Sequence, residues 1–440
     1  MKLLIRKGRL VDPVGGIGGV MDILIEDGKL AVIGSDLREP EARVIDARGL
    51  NVCAGLVDMH VHLREPGFEY KEDITTGAAA AARGGFTSVA CMPNTRPVLD
   101  TPEQIEYVLR RAGESCGVRV WPIGAVSRGQ KGQSLTDAAA LQEAGCVALS
   151  DDGVPVQDAN LVRDAMIRCK RLGLTILSHC EDADMVRNYA VNEGRVSRAL
   201  GLPGRPAIAE EIMVMRDAML AEETGAHVHI CHVSTAKSVD IIRRMKKRGA
   251  PITCETCPHY LYFTTDELDA IGNITKCSPP IRDKAQQDAL WKLLADGAIS
   301  MVVSDHSPCT PDLKAPENAF DAWGGISGIQ NCMDVMYDEM VQKRGMSAAL
   351  FAKVMSTNVA DRFGLADKGR IEVGKDADFC LIEPNSPYTL QAEDLEYKNK
   401  ITPYIGRTIG CQVARTILRG ETTYAKGEGV CKDFPGKFVK

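Results

Sequence analysis

His60 and His62 close the apolar run Leu56-Val57-Asp58-Met59-His60-Val61-His62. In an extended strand alternate residues share a face, so the two imidazoles point the same way and can hold one cation between them. The pattern recurs. Leu174 to Ser178 leads into His179, the run from His227 to Cys231 leads into His232, and Ile299 to Ser304 leads into Asp305. Together these residues offer more nitrogen and oxygen ligands than one tetrahedral zinc with an open position uses, so two metals fit better. A pair of divalent ions about 3.5 to 4 Å apart needs an anion between them. Asp151-Asp152 follows Val147-Ala148-Leu149-Ser150, where a further strand would end. Either carboxylate could bridge, and the pair could equally cap a turn before Gly153. The chemistry such a centre performs is attack by water, because divalent cations lower the pKa of water towards neutrality.

Ligands scattered along a chain meet only if the fold brings their strand ends together. A barrel of parallel strands alternating with helices does this, since every strand opens onto one face at its C-terminal end. Helix-like stretches at Thr76 to Arg83, Pro102 to Ala112, Asp158 to Leu172, Glu210 to Glu223 and Ser238 to Lys247 lie between the apolar runs. Thr87 to Cys91, Val118 to Ile123, Val147 to Ser150 and Ile252 to Glu255 add strand candidates. This predicts an α/β fold, a (β/α)8 TIM-like barrel over about residues 55–365. An open doubly wound sheet competes, but Gly15-Gly16-Ile17-Gly18-Gly19 has the wrong spacing for a dinucleotide fingerprint and no helix after it. Leu3 to Ile5, Met21 to Glu26 and Leu30 to Ile33 read as hairpin strands, and the pattern returns at Ala377 to Glu383 and Thr416 to Leu418. Residues 1–54 and 366–440 are therefore expected to build one composite β-sandwich domain.

With 45% hydrophobic residues, the chain can bury a large core and still carry an accessory domain. A formal net charge of -6 gives no electrostatic reason to expect nucleic acid or an anionic membrane as partner. The basic run Arg243 to Arg248 reads as the solvated end of a helix. Met1 to Arg6 is not a signal sequence, and no later run could span a bilayer, so a cytoplasmic location is expected. Fifteen cysteines then read as reduced thiols, with the Cys254/Cys257 pair taken as packing. His227, His229, His259 and His306 are left unassigned to metal, with His259 expected in a loop and His306 on the far side of its strand. Thr310 to Ala322 is polar and bears proline, as a lid or an ordinary surface loop would.

Asp58-Met59-His60-Val61-His62-Leu63-Arg64-Glu65-Pro66-Gly67, Met92-Pro93-Asn94-Thr95, Ser150-Asp151-Asp152-Gly153, His179-Cys180-Glu181-Asp182 and Ser304-Asp305-His306 follow in order. With these motifs the chain resembles the dihydroorotases of the amidohydrolase superfamily. The resemblance implies that His60, His62 and Asp305 hold one zinc, that His179 and His232 hold a second, and that Asp152 bridges them. Many relatives bridge with a carboxylated lysine; no lysine lies between Val147 and Gly153, and Asp151 is the fallback. Asp305 would orient the attacking water and carry its proton to the departing ring nitrogen, a general acid and base role. The implied reaction is the reversible cyclisation of N-carbamoyl-L-aspartate to L-dihydroorotate. Related enzymes are often dimers or tetramers, so a homo-oligomer is expected.

Substrate selection is mixed. Arg64 and Asn94 suit a carboxylate receptor, unless Arg64 merely pairs with Glu65 or Glu69 at the surface. Ser278 stands where dihydroorotases usually have asparagine, and Cys309 where they usually have a substrate-binding histidine. Both look like allantoinase, as do Cys254 to Tyr260, Ser304 to Cys309 and Ala322-Trp323-Gly324-Gly325-Ile326. The first two-thirds thus resemble dihydroorotase and the last third allantoinase. The alternatives are an allantoinase or a hydantoinase-like enzyme acting on another small cyclic ureide. A non-catalytic scaffold remains a further reading, although such proteins usually lack metal ligands and every ligand is present here.

Overall fold

The computed structural model describes all residues except 1, 16–17, 116, 187–190, 200, 202, 268–271, 317–320 and 432–440. Two strand systems carry the described chain, and the parallel one positions the site. Leu56–Val61 pairs with Phe86–Cys91, and Phe86–Cys91 pairs with Arg119–Pro122, both in parallel. That last strand runs on through Ile123 into Gly124–Ala125, which pairs with Ala148–Ser150. Thr175–Ser178, Val228–Ile230, Ile252–Thr256 and Met301–Val302 then follow in parallel register. A parallel bridge between Val61 and His306 links the last strand region to the first, through a 2.8 Å bond from His62 N to His306 O.

Each of these strands is almost entirely buried on both faces, which is why it reads as a continuous apolar run instead of alternating. The connecting helices cover the outer face. Asp158 caps Ala159–Leu172 by accepting from Asn160 N and Leu161 N. Gly173, at φ 70°, ends the helix in the left-handed region that a side chain would disfavour. Asp73 and Thr76 form a capping box on Ile74–Arg83, which begins two residues earlier than its sequence pattern suggests.

The strands from the two ends of the chain share a second, mainly antiparallel sheet. Phe379–Glu383 pairs with Asn51–Ala54, and Asn51–Ala54 with Lys2–Val11. Gly18–Glu26 and Lys29–Gly34 extend one side; Gln412–Leu418, Glu421–Ala425 and Gly429–Val430 extend the other. Leu3, Ile5, Ile23, Ile25, Val52, Phe379, Leu381 and Ile417 form a core separate from that of the parallel strands.

Two sequence expectations need adjusting. The strand expected from Ile299 shortens to Met301–Val302. Ser304 N instead donates to Asp58 Oδ2 at 2.9 Å, so the chain leaves the ladder before Asp305. His259 sits in the short helix Pro258–Tyr262, not in a loop, with Pro258 at the first turn where its missing N–H costs nothing. Of the segment from Thr310 to Ala322, residues 317–320 lie outside the described residues; Pro311–Lys314 forms a 3-10 turn. Every described cysteine is free, and all but Cys431 are buried, as thiols used for packing would be. No helix among the described residues is long and apolar enough to cross a membrane.

An ion cluster joins the two strand systems. Asp376 accepts from Lys29 at 2.9 Å, Arg119 at 3.0 Å and Lys368 at 2.8 Å. Lys368 also reaches Asp378. Burial opposes ionisation of Asp376, but these cations win and bring its pKa down to about 2. Lys368→Met should destabilise the fold by about 3 kcal/mol, because it strands buried carboxylates. In denaturant unfolding, that margin should be complete above about pH 4, the unfolded carboxylate value, and shrink as the pH falls towards the folded one.

Candidate metal centre

The residues at the strand ends converge on one buried carboxylate. Asp152 Oδ1 lies 3.5 Å from His60 Nε2 and 3.3 Å from both His179 Nδ1 and His232 Nε2. Its Oδ2 lies 3.4 Å from His62 Nε2. Asp305 Oδ1 completes the first group, 3.4 Å from His60 Nε2 and 3.3 Å from His62 Nε2. Two ligands each about 2.0–2.1 Å from a tetrahedral ion lie about 3.3–3.4 Å apart, so these separations are those of donors prepared for a shared cation. His60, His232 and Asp305 offer atoms within 4.8 Å of one another, as do Asp152, His179 and His232.

Protons alone do not satisfy this arrangement. His60 Nε2 is buried without a hydrogen-bond partner, and His179 Nδ1 faces His232 Nε2 at 2.9 Å. Burial opposes a charge on His60, yet Asp152, Asp305 and Glu255 hold its pKa well above the ordinary value. Burial likewise opposes the Asp152 carboxylate, and the surrounding imidazoles hold it well below the usual range. Asp305 is depressed for the same reason. His62 is lowered, first by burial and then by Arg64. The donor set therefore fits a divalent cation, which binds neutral imidazole and ionised carboxylate.

The outward nitrogens are held as metal-binding histidines require. His60 Nδ1 meets Glu255 Oε1 at 2.6 Å, His62 Nδ1 meets Asn94 Oδ1 at 2.9 Å, and His179 Nε2 meets Glu181 Oε2 at 3.2 Å. Glu255 also meets His229 Nε2 at 2.9 Å. Burial raises its pKa, but the two histidines bring it down to about 2 and keep it anionic. Sequence reasoning missed Glu255 as a support, although it lies in a strand within a quoted motif, on the same face as Thr253 and Cys257. Backbone strain marks the site as well. Arg64, His232 and Asp305 have φ of 64°, 35° and 43°, which non-glycine residues adopt at a cost of about 1–3 kcal/mol each.

Asp151 turns away from the cluster and accepts from Val126 N at 2.8 Å and Ser127 N at 3.1 Å. The fallback bridge is thus a loop anchor. Arg64 makes no surface pair with Glu65 or Glu69; it is buried, donating to Pro308 O at 3.2 Å and Ser307 Oγ at 2.7 Å. Glu65 is taken by Arg111 and Tyr107. Asn94 orients His62, so its direct role is in the centre. Ser278 donates to Glu181 at 3.1 Å and accepts from Arg205 at 2.7 Å, beside His179. Cys309 is buried. His227 contacts Arg362, and His306 stacks on Tyr397 with Nδ1 accepting from Gly328 N. Among the unassigned histidines, His259 comes nearest, grouped with Cys257 and Asp305.

A family profile described as Dihydro-orotase-like matches residues 49–238. The chain is 44% identical to an allantoinase of Enterococcus faecalis, covering 100% of this chain and 99% of that one. It is 43% identical to a dihydroorotase of a Geobacter species, covering 97% of this chain and 100% of that one. In structure it resembles an L-hydantoinase (dihydropyrimidinase) from Arthrobacter aurescens, with a TM-score of 0.89 at 25% identity over 98% of this chain and 97% of that one.

Asp152→Asn should abolish stoichiometric metal binding, as read by elemental analysis of the purified protein. Glu255→Gln should retain the fold and weaken metal affinity about 10- to 100-fold in chelator competition, since it removes only the support of His60.

Proposed function

Because the chain belongs to the dihydro-orotase-like family of cyclic amidohydrolases, and hydrolyses the C–N bond of a cyclic amide, we propose that its ring substrate carries a carboxylate. The reaction we assign is the interconversion of L-dihydroorotate and N-carbamoyl-L-aspartate. The observation that carries this reading is Arg64. It is 4% exposed, and among the described residues no carboxylate pairs with it. Burial pulls its pKa down to about 10 although Asp305 opposes the shift, so the guanidinium stays charged at a cost that a directly paired anion would further offset.

We assign the centre to two zinc ions, which His60, His62 and Asp305 on one side and His179 and His232 on the other would hold, with Asp152 shared. When bound, such ions supply Lewis acidity and lower the pKa of water to near neutrality. The chain's own residues do the rest. Asp305 is placed to take a proton from the attacking water and return it to the ring nitrogen as the C–N bond breaks. Arg64 fixes the ring through its carboxylate, and the burial of the cluster keeps bulk water from competing. In the direction of ring closure, Asp305 takes the proton from the ureido nitrogen and delivers it to the departing oxygen.

We take the eight parallel strand positions as one closed (β/α)8 barrel over 55–365, and residues 1–54 with 366–440 as a composite β-sandwich domain. Oligomerisation through the exposed stripe Ile208, Ile212, Met215 and Met219 on Ile208–Thr224 fits its spacing of one residue per helical turn.

Allantoin is the second reading, favoured by Ser278 and Cys309, since it bears a ureido arm and no acid. Side-by-side hydrolysis of dihydroorotate, allantoin and hydantoin separates the two. Dihydroorotate should be the best substrate, and Arg64→Ala should lower its kcat/KM by about 100-fold or more. Allantoin as the best substrate, with a rate indifferent to Arg64→Ala, would reverse the assignment. Chelation should remove activity on every substrate, and zinc should restore it.

A further inference from the structure

Lys71 is a second buried cation whose ammonium finds no acid. It is 6% exposed, and among the described residues no hydrogen-bond acceptor or carboxylate meets its Nζ. Its backbone is pinned at both ends: Lys71 N donates to Phe68 O at 2.8 Å, and Asn399 Nδ2 donates to Lys71 O at 2.7 Å. Phe68 N in turn donates to Arg64 O at 3.0 Å. This tight segment sets Lys71 and Arg64 against one aromatic ring. Lys71 Nζ lies 3.6 Å from the centroid of Trp323, and Arg64 Cζ lies 5.2 Å from it.

The ring itself is held in place. Lys314 Nζ donates to Lys276 O at 2.8 Å and Trp323 O at 2.9 Å, and Trp323 N donates to Leu313 O at 2.8 Å. The Trp323 Nε1–H is buried and has no acceptor. Asp305 and Asp152 act on Arg64 from a distance, but Lys71 has no such carboxylate and its one favourable neighbour is weak. Cys309 lies among Lys314, Arg64 and Lys71, but burial raises its thiol pKa, so it brings no negative charge. Two cations facing one indole repel each other, and cation–π attraction returns only about 0.5–2 kcal/mol per pair. Burial, followed by Arg64, lowers Lys71 to about 8, which shows the strain of holding that charge.

We propose that Lys71 and Arg64, laid against Trp323, form a two-cation receptor for the exocyclic carboxylate of the substrate, with Lys71 supplying the donor that Cys309 does not. The proposal rests on the carboxylated substrate assigned above. Lys71 is then a specificity residue: it touches the substrate's anion and takes no part in breaking the C–N bond. Trp323 spaces the two cations, and Lys314 keeps the indole where both can reach.

Steady-state kinetics on zinc-loaded enzyme with L-dihydroorotate test this. Lys71→Gln should raise KM about tenfold or more while kcat stays within about twofold, the signature of lost uniform binding. Lys71→Arg, which keeps the charge, should leave KM within about threefold of wild type. An unchanged KM in Lys71→Gln, a fall in kcat alone, or a Lys71→Arg as poor as Lys71→Gln would overturn the receptor while leaving the dihydroorotate assignment intact. A wild-type enzyme that does not turn over dihydroorotate would overturn both.

Discussion

A single carboxylate with four imidazole nitrogens between 3.3 and 3.5 Å away is the constraint on which this structure turns. Asp152 cannot accept from all of them with protons distributed in any ordinary way, and all five groups are buried. Only a cationic centre reconciles that many inward-facing lone pairs. The parallel strands exist in the order that delivers them: the four histidines and two aspartates come from strands widely separated in sequence, each ending at the same mouth. The positive φ values at His232 and Asp305 are a local cost of aiming those side chains, tolerated because bridges of His306 to Val61 and Ile326 fix the backbone beside Asp305, and Cys231 N and Val233 N bond to Ser178 O and Glu255 O on either side of His232.

The outer layer shows that the inner one is fixed before any cation arrives. Glu255, Asn94 and Glu181 each grip the far nitrogen of one histidine, and Glu255 is itself braced by His229. Asp58 adds a backbone brace, accepting from His60 N at 3.0 Å and Ser304 N at 2.9 Å, so the first and last strand regions are tied across the mouth. Burial raises Asp58 to about 7, a tolerable value because its partners are neutral amides and not metal. His232 is the exception: its Nδ1 is buried without a partner. The imidazole shared most closely with His179 is therefore the least braced of the four.

Much of this was legible in sequence. Long buried strands leave continuous apolar runs, and a ligand at the end of each gives the site away, so His60, His62, His179 and His232 could be read without coordinates. The helices between the apolar runs were equally plain, although Ile74–Arg83 and Ala236–Lys247 each begin two residues before the stretch the sequence suggests. What failed to show had a physical reason in each case. The break before Asp305 depends on a hydrogen bond to Asp58, 246 residues away. The choice between Asp151 and Asp152 depends on which carboxylate meets the Val126 and Ser127 amides. Glu255 gave no periodic signal because it sits inside a strand already buried on both faces. Lys71 gave no signal, since the ring that lies nearest its ammonium, Trp323, returns from far along the sequence.

The near-equal identity to an allantoinase and a dihydroorotase follows from how the site is divided. Ring opening needs the same carboxylates and imidazoles whatever the ring carries, so selection for that chemistry holds the barrel core and its strand ends in common. Discrimination between a charged and a neutral ring needs only a few groups near Arg64, because a buried cation left without its anion already costs several kcal/mol. Substitutions at positions such as Ser278 and Cys309 can therefore make the C-terminal third look like one enzyme while Arg64 keeps a buried cation beside the centre. Overall similarity is a weak guide to substrate here.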